Sequence, residues 1–178
     1  MLAIFGTKPS NGGHKLVPFL QSVNYKDNLE YLNSTINIYT TATVNRIDVG
    51  FSLTKTLVEP WINIGLWVDV GSGVLRTPLY NRTVDFCHFL RNPGVHRLGQ
   101  IVHREMKQRG NMPTRCPIPV NLYQFRGVSL NHMRLPPFFV ETDFILDVNV
   151  GVEKERTFDS RWFGTVKKIK CSDSERCS

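Results

Sequence analysis

Histidines, cysteines and carboxylates are the side chains whose spacing would betray a reaction, and in this sequence none is arranged for one. His96 and His103 stand seven apart on what reads as one helix, beyond the i, i+4 pair that lets two imidazoles share a metal. His14, His88 and His132 lie elsewhere. Asp85 reaches His88 at i, i+3, but no serine or cysteine nucleophile is marked out beside them, so a surface ion pair is the expected reading. Glu141, Asp143, Asp147 and Asp159 offer oxygens for an acid–base pair or a calcium ion. Strand spacing keeps the first three on one solvated face, where nothing buries or tunes them. Gly71-Ser72-Gly73 follows a strand but precedes no helix, so it reads as a hairpin turn and not a phosphate loop. No catalytic residue, metal ligand or cofactor is expected, and the chain does not read as an enzyme.

The four cysteines, Cys87, Cys116, Cys171 and Cys177, lack the paired spacing of a zinc or redox motif. An even number in a small β-rich chain suggests disulfides, with three connectivities open; we prefer Cys87 with Cys116, with Cys171 and Cys177 either closing a tail loop or left unpaired. Asn33-Ser34-Thr35 and Asn81-Arg82-Thr83 are acceptor tripeptides for glycosylation and agree with an extracellular route.

What must position these residues is a strand-patterned chain broken once by a helical period. Between Asn81 and Pro119 the apolar residues Val95, Leu98, Val102 and Met106 recur at steps of three and four, which predicts an amphipathic helix over Val95 to Arg109 with Gly110 as its C-cap. A shorter helix is expected over Val84 to Leu90, separated from it by Asn92-Pro93-Gly94. Elsewhere the period is two. Strands are expected over Pro18 to Tyr25, Glu30 to Thr41, Val44 to Lys55, Trp61 to Val70, Val74 to Tyr80, Ile118 to Val128, Phe138 to Val150 and Thr157 to Ile169. Their apolar faces carry Ile47, Val49 and Phe51; Ile62, Ile64, Leu66 and Val68; and Phe138, Val140, Phe144 and Leu146. Trp61 and Trp67 fall opposite, either packing under the helices or sitting exposed as a contact surface. Evenly spaced strands with one helical crossover predict a mainly β fold, an antiparallel sandwich or cup with a helical insert at about 84–109.

The length of 178 residues suits one domain, since such a chain can bury about 70% of its unfolded surface in a single core. We expect a loosely attached segment 1–16, a sandwich domain 17–170 and a flexible tail 171–178. No apolar run approaches a membrane span. The net charge of +7 is scattered, clustering only modestly at Arg97 to Arg115 and Arg161 to Lys170, where a nucleic-acid reader would show a concentrated stripe; no nucleic-acid partner is expected.

The order Asn-Arg-Thr-Val-Asp-Phe-Cys at 81–87, an amphipathic helix, Gly110-Asn111 and then Cys116-Pro117 resembles a large insect family of small secreted proteins. That family is catalogued as a domain of unknown function and grouped with the chemosensory CheA/CheB-type proteins; more distantly it is similar to the ML lipid-recognition superfamily. The resemblance spans roughly Val23 to Lys168 and implies a secreted, immunoglobulin-like or ML-type sandwich with a lipid-sized apolar cavity and no catalytic machinery. The expected lining is Ile47, Val49, Phe51, Ile62, Ile64, Leu66, Val68, Leu98, Val102, Phe138, Val140, Phe144 and Leu146. The expected partner is a lipid or other hydrophobic small molecule; the alternative is an extracellular interaction module, or a receptor or channel accessory, presenting Trp61, Trp67 and the basic helix. The start MLAIFGTKPSNGGHK lacks a basic n-region and reaches Gly6 and Pro9 too early for a secretory signal. Either the protein is cytosolic or this start is an incomplete or misassigned first exon, and the family resemblance favours the second.

Overall fold

Two-residue alternation builds two antiparallel sheets in the computed structural model, which describes residues 13–42, 44–69, 78–133, 135 and 139–171. The strands are β1 (His14–Asp27), β2 (Leu32–Thr40), β3 (Asn45–Leu53), β4 (Pro60–Val68), β5 (Tyr80–Asp85), β6 (Leu122–Ser129), β7 (Thr142–Val152) and β8 (Glu155–Lys170). One sheet has the order β1-β8-β7-β4-β5 and the other β2-β3-β6. The chain therefore changes sheets after β1, β3, β5 and β6, as a sandwich requires. The strand β1 begins at His14, pairing with Lys170, so residues 14–16 belong to the sheet and not to the loose segment expected there. The predicted Gly71–Gly73 turn and most of the Val74 to Tyr80 strand lie outside the described residues; β4 pairs with Tyr80–Asp85.

Phe158, Trp162 and Val166 of β8 are buried against Ile47, Val49, Phe125 and Val128 of the smaller sheet. Phe51 meets Phe158 edge to face across the gap, ring centres 5.4 Å apart. At one side of the sandwich the exposed edge of β1 is closed by side chains. Its register shifts between Leu20 and Ser22, and buried Asn45 fills in for a missing strand. The Asn45 Oδ1 accepts from Leu20 N at 3.3 Å, its Nδ2 donates to the Pro18 carbonyl, and Thr40 Oγ1 donates to the Leu20 carbonyl at 2.7 Å. Replacing Asn45 by alanine strands both a buried N–H and a carbonyl. We expect a loss of about 2–3 kcal/mol, read as a lower denaturation midpoint at unchanged m-value; a loss under about 0.5 kcal/mol would contradict this role.

The helical insert closes the other side, between edge strands β5 and β6. It consists of α1 (Phe86–Arg91), a 3-10 turn (Pro93–Val95) and α2 (Arg97–Arg109). Asp85 caps α1 by accepting from His88 N at 3.0 Å, which is what the Asp85–His88 spacing serves. Val84 consequently stays in β5, and the helix starts two residues later than its apolar pattern suggests. In the same way His96 caps α2, its Nδ1 accepting from Gly99 N at 3.3 Å, and Val95 falls in the 3-10 turn, 56% exposed. Cys87 of α1 is bonded to Cys116, and Leu57 and Ile118 exchange backbone hydrogen bonds of 2.8 and 3.0 Å just beyond it. Cys171 is also disulfide-bonded; Cys177 lies outside the described residues.

Candidate hydrophobic-ligand site

Strand pairing lines up the inner face of the larger sheet in rows that run β5, β4, β7, β8. They read Tyr80–Leu66–Leu146–Trp162, Arg82–Ile64–Val148–Ser160 and Val84–Ile62–Val150–Phe158. Cross-strand partners share a face, so these twelve side chains form one wall. The wall is tightly covered at β8, where Phe158, Ser160 and Trp162 are buried. Toward β5 it opens. Leu146, Val148 and Val150 are half-buried, as are Ile62, Ile64 and Val68, and Arg82 at the rim is exposed.

The insert lies over that open end. Leu98, Ile101 and Met106 of α2 pack against the core, whereas Val102, in the same i, i+4 row as Leu98 and Met106, remains 43% exposed. The helix rests on supports to either side of Val102. One support is polar: Glu105, only 7% exposed, accepts from Ser129 N at 3.2 Å and lies 3.5 Å from Arg109 Nε and 3.8 Å from His132 Nδ1. The other is aromatic, His103 standing edge-on to Phe89 with ring centres 5.3 Å apart.

At the rim, His96 Nδ1 accepts, so the neutral ring carries its proton on Nε2 and donates it to the Tyr80 hydroxyl. Burial, helped by the Arg82 charge, lowers the His96 pKa, and burial raises that of Tyr80, so both are neutral near pH 7. The Arg82 guanidinium lies 5.8 Å from the Tyr80 ring centre.

The expected lining is thus divided. Ile47, Val49, Leu66 and Phe144 are in the closed core; Phe51, Ile62, Ile64, Val68, Leu98 and Leu146 are half-buried; Val102 is exposed. Val140 is 63% exposed and precedes β7, which begins only at Thr142, and Phe138 lies outside the described residues. Sequence reasoning passed over Tyr80, Arg82, His96, Ile101, Val148 and Val150. The last two sat on a recognised apolar face, and the pairing of Arg82 with Ile64 was the missing signal.

Trp61 and Trp67 lie on the opposite, outer face and are half-buried. The Trp67 ring covers Gly65 and that of Trp61 covers Gly151, positions where a Cβ would collide with them at 2.8 and 2.2 Å. Arg161 stacks on Trp67 at 5.7 Å while binding Asp147 through two 2.7 Å bonds, and Thr165 donates to Asp143, so the acidic strand face is a paired surface. Asn33 and Asn81 are both exposed; Asn81 accepts from Asn63 Nδ2 at 3.2 Å. A separate depression of about 610 Å³, open to solvent, is formed by residues 111–117, Pro119, Asn121 and Tyr123 and does not lie on the wall.

Residues 62–146 match the model of a family described as a protein of unknown function, DUF1091. That span runs from β4 into β7 and contains the whole insert, the Cys87–Cys116 bond and most of the apolar wall. No curated protein matches the chain.

Proposed function

We propose that the protein is a non-enzymatic, extracellular carrier of a lipid or other hydrophobic small molecule, held on the wall of β4, β5 and β7 beneath the insert. The observation that carries this reading is the half-buried state of Ile62, Ile64, Val148 and Val150 on a face that points between two sheets, with Val102 of the insert left exposed. A face that merely packs a core dries out along its length, as β8 does. Each methylene buried there contributes about 0.8 kcal/mol, so affinity rises with chain length. The resemblance to the ML superfamily points the same way. The Cys87–Cys116 bond fits an oxidising compartment, and no described helix is long and apolar enough to cross a membrane. The exposed Asn33 and Asn81 then serve as glycan acceptors.

The test is uptake of a long-chain fluorescent probe by the delipidated protein. Val102→Asp is a mild change for the fold because the residue is exposed, and should weaken uptake about tenfold by setting a charge in the apolar row of Leu98 and Met106. Absence of uptake by the native protein rejects the proposal. Trp61 and Trp67 on the outer face favour a second reading, a protein-docking module; that reading predicts a partner lost on Trp67→Ala and untouched by Val102→Asp.

A further inference from the structure

We infer that Arg82 sets the ligand class: the apolar wall takes a long-chain amphiphile with an anionic head, foremost a carboxylate, whose charge meets the Arg82 guanidinium while the chain lies across β4 and β7. This deepens the carrier reading of the preceding subsection and rests on it.

Of the twelve side chains in the three rows of the wall, Arg82 is the one that carries a charge. It stands on the edge strand, exposed, and the row behind it continues into Ile64 and Val148. Successive strands are about 4.8 Å apart, so a carboxylate at Arg82 places the first carbons of its chain directly over Ile64. Among the described residues no carboxylate lies within ion-pair distance of Arg82, whereas Lys55, Arg109, His132, Arg156 and Arg161 each have one. Its close neighbours, Tyr80 and His96, are neutral and bonded to each other. The guanidinium is therefore a planar set of donors with its charge uncompensated, at the one end of an apolar wall that opens to water. That geometry matches a carboxylate held by two parallel hydrogen bonds, and it gives a neutral head group such as an alcohol or ester no comparable partner.

The experiment compares hexadecanoate with hexadecanol as displacers of the bound fluorescent probe, on the full chain and on Arg82→Gln. The native protein should bind the acid about tenfold more tightly than the alcohol, a modest preference because the pair sits at a solvated rim. In Arg82→Gln the preference should vanish while the alcohol affinity stays as it was, which also shows that the variant is folded. Equal affinities in the native protein, or a preference that survives in Arg82→Gln, overturn this inference and leave the carrier reading standing. Failure of both compounds to bind overturns the two together.

Discussion

Gly110→Ala should destabilise the protein by about 4 kcal/mol. The residue follows α2 with an extended backbone, φ −172°, that any amino acid adopts, so its requirement for glycine is not conformational. It is one of distance. A Cβ there would stand 1.9 Å from the Gln124 carbonyl oxygen and 2.6 Å from the Phe125 ring. Backbone cannot yield as a side-chain tip does, so the strap must lift from β6. Lifting it also breaks the clip made by the next residue: Asn111 Nδ2 donates to the Leu122 carbonyl and its Oδ1 accepts from Gln124 N, both at 2.8 Å. Overpacking of about 2–3 kcal/mol plus two hydrogen bonds of about 1 kcal/mol each gives the magnitude. Gly94→Ala is the control, since a Cβ there meets only Asn92 Oδ1 at 3.9 Å. Chemical denaturation of both variants decides it. If Gly110→Ala unfolds within about 1 kcal/mol of the native protein, the close approach is not a constraint.

The second large effect belongs to the disulfide. Replacing Cys87 and Cys116 together by alanine should cost about 3–4 kcal/mol, because the bond closes a loop with a sequence separation of 29 and removing it frees the unfolded chain. Two signatures separate this from loss of packing. The m-value should rise, since the uncrosslinked unfolded state exposes more surface, and a reducing agent, which also opens the Cys171 bond in both proteins, should bring the native protein and the variant to one common stability. A double variant as stable as the oxidised native protein would refute the role assigned to the bond.

Much of the sandwich was legible because its signals are local. The alternations in β3, β4 and β7 need only neighbouring residues to be read, and so does the break into helical period after Asp85. What was illegible depends on distant partners. Glu105 looks like part of a charged, solvated face, yet it is buried, since its hydrogen-bond donor, Ser129, comes from β6 and its other neighbour, His132, lies beyond it. Val95 fits the helical row by spacing, but His96 takes the capping position and expels it. Ahead of β7 the two-residue period was carried too far: Phe139 is buried and Val140 exposed, the reverse of what alternation from Phe138 gives, because β7 begins only at Thr142. The rim of the candidate site was hidden for a like reason. Nothing near Arg82 in sequence says that it faces Ile64; register alone does.

The Cys87–Cys116 bond joins α1 to the chain returning from the insert, and that chain is held to the β3–β4 connection through Leu57 and Ile118. Gly110 and Asn111 fasten the same span to β6, so it is held along its length and not at one edge alone. A cover tied at several places stays over the edge of the sandwich instead of hinging off it, and on the carrier reading a guest would have to enter past its flank.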